Sequence, residues 1–189
     1  LTLDTTGPSL FKRGYRIEKG GAPLKENMAA ALVMLTNWRK DRPFYDPVCG
    51  SGTICIEAAL IGHNIAPGFN RSFTCETWDW VDPAIFEKVR NEAEAKADYD
   101  VELDICGSDV DGRMIEVARA NAEEVGLGDS ITFKQLALKD FTTEKEYGVM
   151  VANPPYGERL GEEESVRRLY KEMGHVFRPL TTWSKYILT

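Results

Sequence analysis

Asn153-Pro154-Pro155-Tyr156, directly after the apolar run Val149-Met150-Val151-Ala152, is the segment of this sequence best equipped for chemistry. Two consecutive prolines end a strand, stiffen the backbone and remove two N–H donors, leaving carbonyls that point outward. The Asn153 side-chain oxygen and the Pro154 carbonyl could each accept one hydrogen of a planar amino group, while Pro155 keeps the turn rigid. Tyr156 could stack on a ring bearing that amine. Holding both hydrogens aims the nitrogen lone pair and helps it leave conjugation with the ring. No His, Cys or paired carboxylate stands out as a base, and none is essential where the leaving group is neutral and positioning supplies most of the catalysis.

A second group is Asp46-Pro47-Val48-Cys49-Gly50-Ser51-Gly52-Thr53, between a strand signal and a helix signal. Gly50 and Gly52 permit a tight turn and close approach of a ligand to the backbone. The N–H groups that open the following helix suit a carboxylate or phosphate. No Gly-Lys-Ser/Thr follows, which disfavours a phosphate loop, and the Gly-x-Gly-x-x-Gly spacing of a dinucleotide site is absent. Asp46 would repel a pyrophosphate but fits a ligand with a positive centre, such as the ammonium or sulfonium of S-adenosylmethionine. The third group is Gly107-Ser108-Asp109-Val110-Asp111, at the end of the next strand. Asp109 is placed to accept hydrogen bonds from both ribose hydroxyls of a nucleoside, and Asp111 to cap the helix that follows.

The elements that must position these groups alternate between strand and helix, which predicts a parallel sheet with helices on both sides. Helices are expected over about 24–39, with Leu24, Met28, Leu32 and Leu35 as its apolar stripe, and over about 53–61, apolar nearly all round. Residues 63–83 read as irregular, after which Asp82 and Pro83 open a helix with Ile85, Val89, Ala93 and Ala97 on its inner face. Two more helices carry Met114, Ile115, Ala118, Ala122 and Val125, closed by Gly126, and Val166, Leu169, Tyr170, Met173, Val176 and Phe177, closed by Pro179. Strands are expected near 44–45, 105–109, 131–134, 149–152 and 185–188. Leu1-Thr2-Leu3 also reads as strand-like, so both ends look cut and the 189 residues read as one domain of a longer protein.

The composition, 43% hydrophobic and 28% charged, is that of an ordinary globular domain, with no signal peptide or membrane span, and a cytoplasmic location is expected. Cys49, Cys55, Cys75 and Cys106 show no Cys-x-x-Cys pair and read as free thiols; His63 and His175 are isolated, so no metal site is indicated. The net charge of −7 argues against nucleic acid as a partner when taken alone. Yet acids concentrate in 82–104, whereas Lys12, Arg13, Arg16 and Lys19 cluster near the start and Arg159, Arg167, Arg168 and Lys171 follow the last motif. An acidic chain can still present a basic face.

The three groups, in this order, resemble the class I methyltransferases that act on amino nitrogens. Leu3-Asp4-Thr5-Thr6-Gly7, Lys12-Arg13-Gly14-Tyr15-Arg16, Ala22-Pro23-Leu24-Lys25-Glu26 and Ile65-Ala66-Pro67-Gly68 extend the resemblance to the RlmL group. These are THUMP-associated bacterial guanine-N2 methyltransferases of large-subunit ribosomal RNA. The resemblance implies a Rossmann-like, doubly wound α/β fold, S-adenosylmethionine as cofactor, large-subunit rRNA as partner, and an RNA-binding THUMP region ahead of a lead-in at 1–22. It implies that Asp46, Cys49, Gly50, Ser51, Gly52, Thr53 and Asp109 hold the cofactor, that Pro23-Leu24 closes over it, and that Asn153 to Tyr156 hold the base. Related enzymes place an acid just after the third strand to hold the adenine amine; here Leu136 stands there, and Asp140 is the nearest acid. Adenine N6 in DNA or RNA and a glutamine amide in protein present a similar planar amine, and a non-catalytic RNA-binding module is the further alternative.

Overall fold

The computed structural model describes residues 1–16, 24–155 and 163–189. Five strands form one wholly parallel sheet: β1 (Phe44–Asp46), β2 (Ile105–Asp109), β3 (Ile131–Gln135), β4 (Val149–Ala152) and β5 (Ser184–Ile187), in spatial order β3-β2-β1-β4-β5. The chain therefore builds outward from β1 through β2 and β3, then crosses back to lay β4 on the other side of β1. Phe44 pairs with Ile105 on one side and Val149 on the other. In an open α/β sheet the crevice at such a reversal, beyond the carboxyl ends of the strands, is where ligands bind.

The helices are α1 (Glu26–Leu35), α2 (Thr53–Gly62), α3 (Pro83–Glu94), α4 (Gly112–Glu124) and α5 (Glu163–Phe177). Side chains of a strand alternate between faces, and the core divides accordingly. Phe44, Ile105, Ile131, Val149 and Val151 join the cluster formed with α1, α2 and α4. Tyr45, Met150 and Ala152 join Met173 and Phe177 of α5, with Leu138 and Trp183. The sequence-based boundaries agree with these elements to within a few residues, and Gly126 takes the left-handed conformation (φ 75°) just past the C-cap of α4. No helix among the described residues is long and apolar enough to cross a membrane.

Three expectations are corrected. The buried side of α1 is Glu26, Ala29 and Val33; of the expected stripe Leu24 and Leu32 are half-buried against the core, while Met28 and Leu35 face outward. With the sequence ENMAAALVML the helix is apolar on nearly every side, so periodicity could not select the inner one. The α3 stripe is also turned: Ile85 and Val89 are 53% and 56% exposed, and no residue of the helix is buried. Arg90 decides this rotation by donating to Glu76 Oε1 and to the carbonyls of Phe69 and Arg71. The expected N-terminus of α3 is present, with Asp82 Oδ1 accepting from the Ala84 N–H at 2.9 Å and proline at N1. Leu1 to Leu3 are irregular and exposed rather than strand-like.

Candidate functional site

The three chemical groups of the sequence all lie at the carboxyl ends of adjacent strands. Asp46 ends β1, Asp109 ends β2, and Asn153 follows β4. Since β1 is paired to both β2 and β4, the strand order alone brings Asp46 to Thr53, Asp109 and Asn153 to Pro155 to one edge of the sheet. Asn153 is half-buried, Pro154 buried and Pro155 exposed. Tyr156 and Pro23 lie outside the described residues.

The turn between β1 and α2 is held from several directions. The Cys49 N–H donates to the Ser108 carbonyl and the Gly52 N–H to the Cys49 carbonyl, each at 2.9 Å. The Gly50 N–H donates to Asp109 Oδ2 at 3.0 Å, and the Asp111 N–H to Asp109 Oδ1 at 2.9 Å. Asp109 thus ties the two loops together, and each of its oxygens keeps a lone pair for a further donor. Asp111 accepts from the Arg113 N–H at 2.9 Å, in the capping role expected of it. Gly50 and Gly52 both have positive φ, 50° and 80°. A Cβ on Gly50 would meet no atom of the described residues within 4 Å, which leaves space over the turn among them. On Gly52 it would lie 2.8 Å from the Phe133 ring and 2.9 Å from Ala118 Cβ. Gly52→Ala is therefore expected to cost about 2–3 kcal/mol and to lower Tm by about 5–10 °C, read by thermal unfolding.

Asp46 is 1% exposed, and its Oδ1 accepts from the Val48 N–H at 3.2 Å. Burial pushes its carboxyl up to about 8; the Val48 N–H pulls the other way, and the Asp109 carboxylate adds to the rise. A buried acid with no cation beside it among the described residues is suited to a ligand that brings one. Burial likewise pushes the Cys49 thiol far up, so it serves as an uncharged wall of the turn rather than a nucleophile. Asp140, by contrast, is exposed at the end of a 3₁₀ turn, Leu138–Asp140, which packs against α5.

Several residues support the site in ways that were not read from the sequence. Asn121 of α4, 1% exposed, donates from Nδ2 to the Ser51 carbonyl at 3.1 Å and so steadies the turn from behind. Arg16 donates from Nη2 to Thr53 Oγ1 at 3.0 Å and to the Leu24 carbonyl at 2.9 Å, and its Nε lies 3.8 Å from Glu26 Oε1. The lead-in before α1 is thereby joined to the head of α2. Four residues into α2, Glu57 accepts from Tyr15 Oη at 3.0 Å and from Arg13 Nε at 3.4 Å. A single carboxylate inside an otherwise apolar helix was the available signal, because a buried charge requires a partner. Leu24 itself is half-buried and packs on the core below α1.

Comparison with known proteins agrees with this arrangement. Residues 13–189 match the model of UPF0020, the RMKL-like methyltransferase domain. The chain is 62% identical over 189 residues to YpsC of Bacillus subtilis (strain 168), which carries an RNA-methyltransferase name; the match covers 100% of this chain and 49% of that protein. It is 42% identical over 183 residues to the ribosomal RNA large subunit methyltransferase K/L of Shewanella baltica (strain OS185), covering 94% of this chain and 26% of that protein. The crystal structure of SMU.472, complexed with SAH, superposes with a TM-score of 0.93 at 63% identity, over 97% of this chain and 48% of that one. The chain thus spans at most about half the length of these relatives. A parallel sheet reversing at β1, loops gathered at that reversal and a family match over nearly every residue lead to one assignment: the chain belongs to the RMKL-like methyltransferase-domain family.

Proposed function

We propose that this chain transfers a methyl group from S-adenosylmethionine to an exocyclic amino nitrogen of an RNA base, guanine N2 of large-subunit rRNA in the finer assignment, and that it does so in the cytoplasm. The observation that carries the reading is the meeting of the Asp46–Gly52 turn, Asp109 and Asn153-Pro154 at the single point where the strand order reverses. Asp46, buried and with no counter-charge among the described residues, fits the cationic end of the cofactor. The open space over Gly50 admits a ligand against the backbone, and Cys49, Ser51, Gly52 and Thr53 complete the cradle. Asp109 receives the ribose hydroxyls, Leu24 with Pro23 closes the near side, and Asp140 is the candidate partner of the adenine amine.

When bound, S-adenosylmethionine supplies a methyl group on a sulfonium and departs as a neutral thioether. Asn153 and Pro154 take the two hydrogens of the target amine on the side-chain and main-chain oxygens, Pro155 fixes the turn, and Tyr156 stacks on the base. One of the two hydrogens is shed to water as a proton after the nitrogen is alkylated. The residues present thus perform orientation and electrostatic work, with no side chain required as a strong base.

The guanine assignment rests on the resemblance to the RlmL group and on the name of the Shewanella relative. Nucleoside mass spectrometry of rRNA from a strain lacking the gene is expected to show loss of one N2-methylguanosine, restored by the gene and not by an Asn153→Ala copy. Loss of N6-methyladenosine instead, or an unchanged rRNA, would replace guanine with another planar amine.

A further inference from the structure

The sequence offers two basic clusters, and the structure treats them differently. At the N-terminal one, Arg13 and Arg16 are turned inward, onto Glu57 and onto Glu26 with Thr53, and their side chains are 13% and 16% exposed. Those charges are neutralised within the fold. On α5 the opposite holds. Its inner side is Met173 and Phe177, with Val166, Leu169, Tyr170 and Val176 half-buried, while Arg167, Arg168, Lys171, His175 and Arg178 are all exposed in or just beyond the helix. Arg168, Lys171, His175 and Arg178 are spaced three, four and three residues apart, the interval that lines side chains along one side of a helix. Arg168 reaches a carboxylate, Glu164, only at 4.0 Å. Lys139, also exposed, lies on the 3₁₀ turn packed against α5.

The remaining charge of the molecule frames this side. Residues 163–189 hold five Lys and Arg against three Glu, within a chain of net charge −7. The acidic segment 82–104 is attached at the far end of α2, where the Asp98 N–H donates to the His63 carbonyl at 2.7 Å, and α2 packs on the sheet face opposite α5. The field therefore repels a polyanion from the α3 side and admits it along α5. The helix also has the right placement. It follows the Asn153-Pro154-Pro155 turn in the chain and, between two parallel strands, runs from the carboxyl edge of the sheet back toward the amino edge.

Resting on the methyltransferase reading above, we propose that the exposed side of α5 (Arg168, Lys171, His175 and Arg178, flanked by Arg167 and Lys139) is the track along which the phosphodiester backbone of the RNA leads to Asn153. From Arg168 to Arg178 the rise is about 15 Å, which spans about four nucleotides at the 3.4 Å rise of one strand. Contacts of this kind fix the register of a strand without reading its bases. Recognition of the base is then left to Asn153 and its neighbours, and the capture of RNA to a surface remote from the cofactor.

The test is binding of a labelled, single-stranded RNA of mixed sequence to the full chain across a salt series, with S-adenosylhomocysteine binding measured by calorimetry on the same samples. R168Q/K171Q/R178Q is expected to weaken RNA binding by about 10- to 100-fold at low salt and to flatten the log–log salt slope by about 2, at about 0.7 for each phosphate no longer neutralised. Its cofactor affinity and Tm are expected to stay those of the parent, since all three positions are exposed. R39Q/K88Q/K96Q, equal in charge removed, is expected to leave the slope unchanged. An unaltered slope in the α5 variant, or an equal loss in the control variant, overturns the track. S-adenosylhomocysteine binding without RNA binding overturns the track alone; failure to bind S-adenosylhomocysteine overturns the reading of the site on which it rests. Tighter binding of polyglutamate than of RNA, lost in the same variant, would reassign the surface to an acidic polypeptide.

Discussion

Asn153→Ala is expected to reduce methyl transfer by at least about 10²- to 10³-fold, while S-adenosylhomocysteine binds the variant with nearly the parent affinity. The separation follows from position. Asn153 stands after β4, whereas the groups assigned to the cofactor come from the ends of β1 and β2. In the proposed reading, removing the amide deletes an acceptor that orients the amine at the moment of attack, and it leaves the glycine turn, Asp109 and Asn121 in place. Single-turnover rates together with calorimetry make the measurement. A variant that keeps its turnover would remove the amine-holding role from the Asn-Pro-Pro turn, and one that loses cofactor binding would make the residue structural.

Asp46→Asn is expected to have two effects of opposite sign. Because burial raises the folded-state carboxyl from 3.8 to about 8, the folded chain holds a proton that the unfolded chain releases. In that window stability falls as pH rises, the contribution being intact below about 4 and fully lost above about 8. The asparagine variant escapes this loss. At pH 8 it is expected to be more stable than the parent by about 1–3 kcal/mol, or about 3–10 °C in Tm, with the difference vanishing near pH 4. Cofactor binding moves the other way. A cationic ligand favours the ionised carboxylate, so binding to the parent should release a proton below pH 8 and tighten as pH rises toward it. The variant is expected to bind about 10-fold or more weakly at pH 8 and to release no proton. Calorimetry in buffers of different ionisation enthalpy counts that proton directly. Equal affinity in parent and variant would mean that Asp46 supports the turn and not the ligand.

The strands and the three chemical turns were legible because each is marked by local chemistry: Pro154-Pro155 can only end a strand, Gly50 and Gly52 can only mark a turn, and Asp111 behaves as a cap wherever it precedes a helix. The parallel sense of the sheet followed from alternation of strand and helix, whereas the order of its strands was not read from the sequence. What sequence could not supply was rotation. In α1 the apolar residues encircle the helix, so the buried side was decided by the Arg16–Glu26–Thr53 network, whose members lie far apart in the chain. In α3 a stripe with the correct period faces outward because Arg90 is anchored to the 69–76 segment. The polar residues behind the site were missed for a related reason. Asn121 looks like an ordinary surface residue until the fold closes over it and its partner becomes necessary, whereas Glu57 stood out as a lone carboxylate in an apolar helix whose partners lie about forty residues away.

The short central strand has a consequence for how the molecule assembles. β1 is three residues long, and the strands that flank it arrive roughly 60 and roughly 100 residues later in the chain, separations that make folding slow when they dominate the contacts. Until β2 is in place, the Asp46–Gly52 turn has neither the Ser108 carbonyl nor the Asp109 carboxylate to close on. During synthesis the turn emerges before the residues that close it, Ser108, Asp109 and Asn121, have left the ribosome. Closure of the turn therefore waits on β2, and nascent chains that stall before it are expected to carry an exposed apolar α2 and to depend on chaperones.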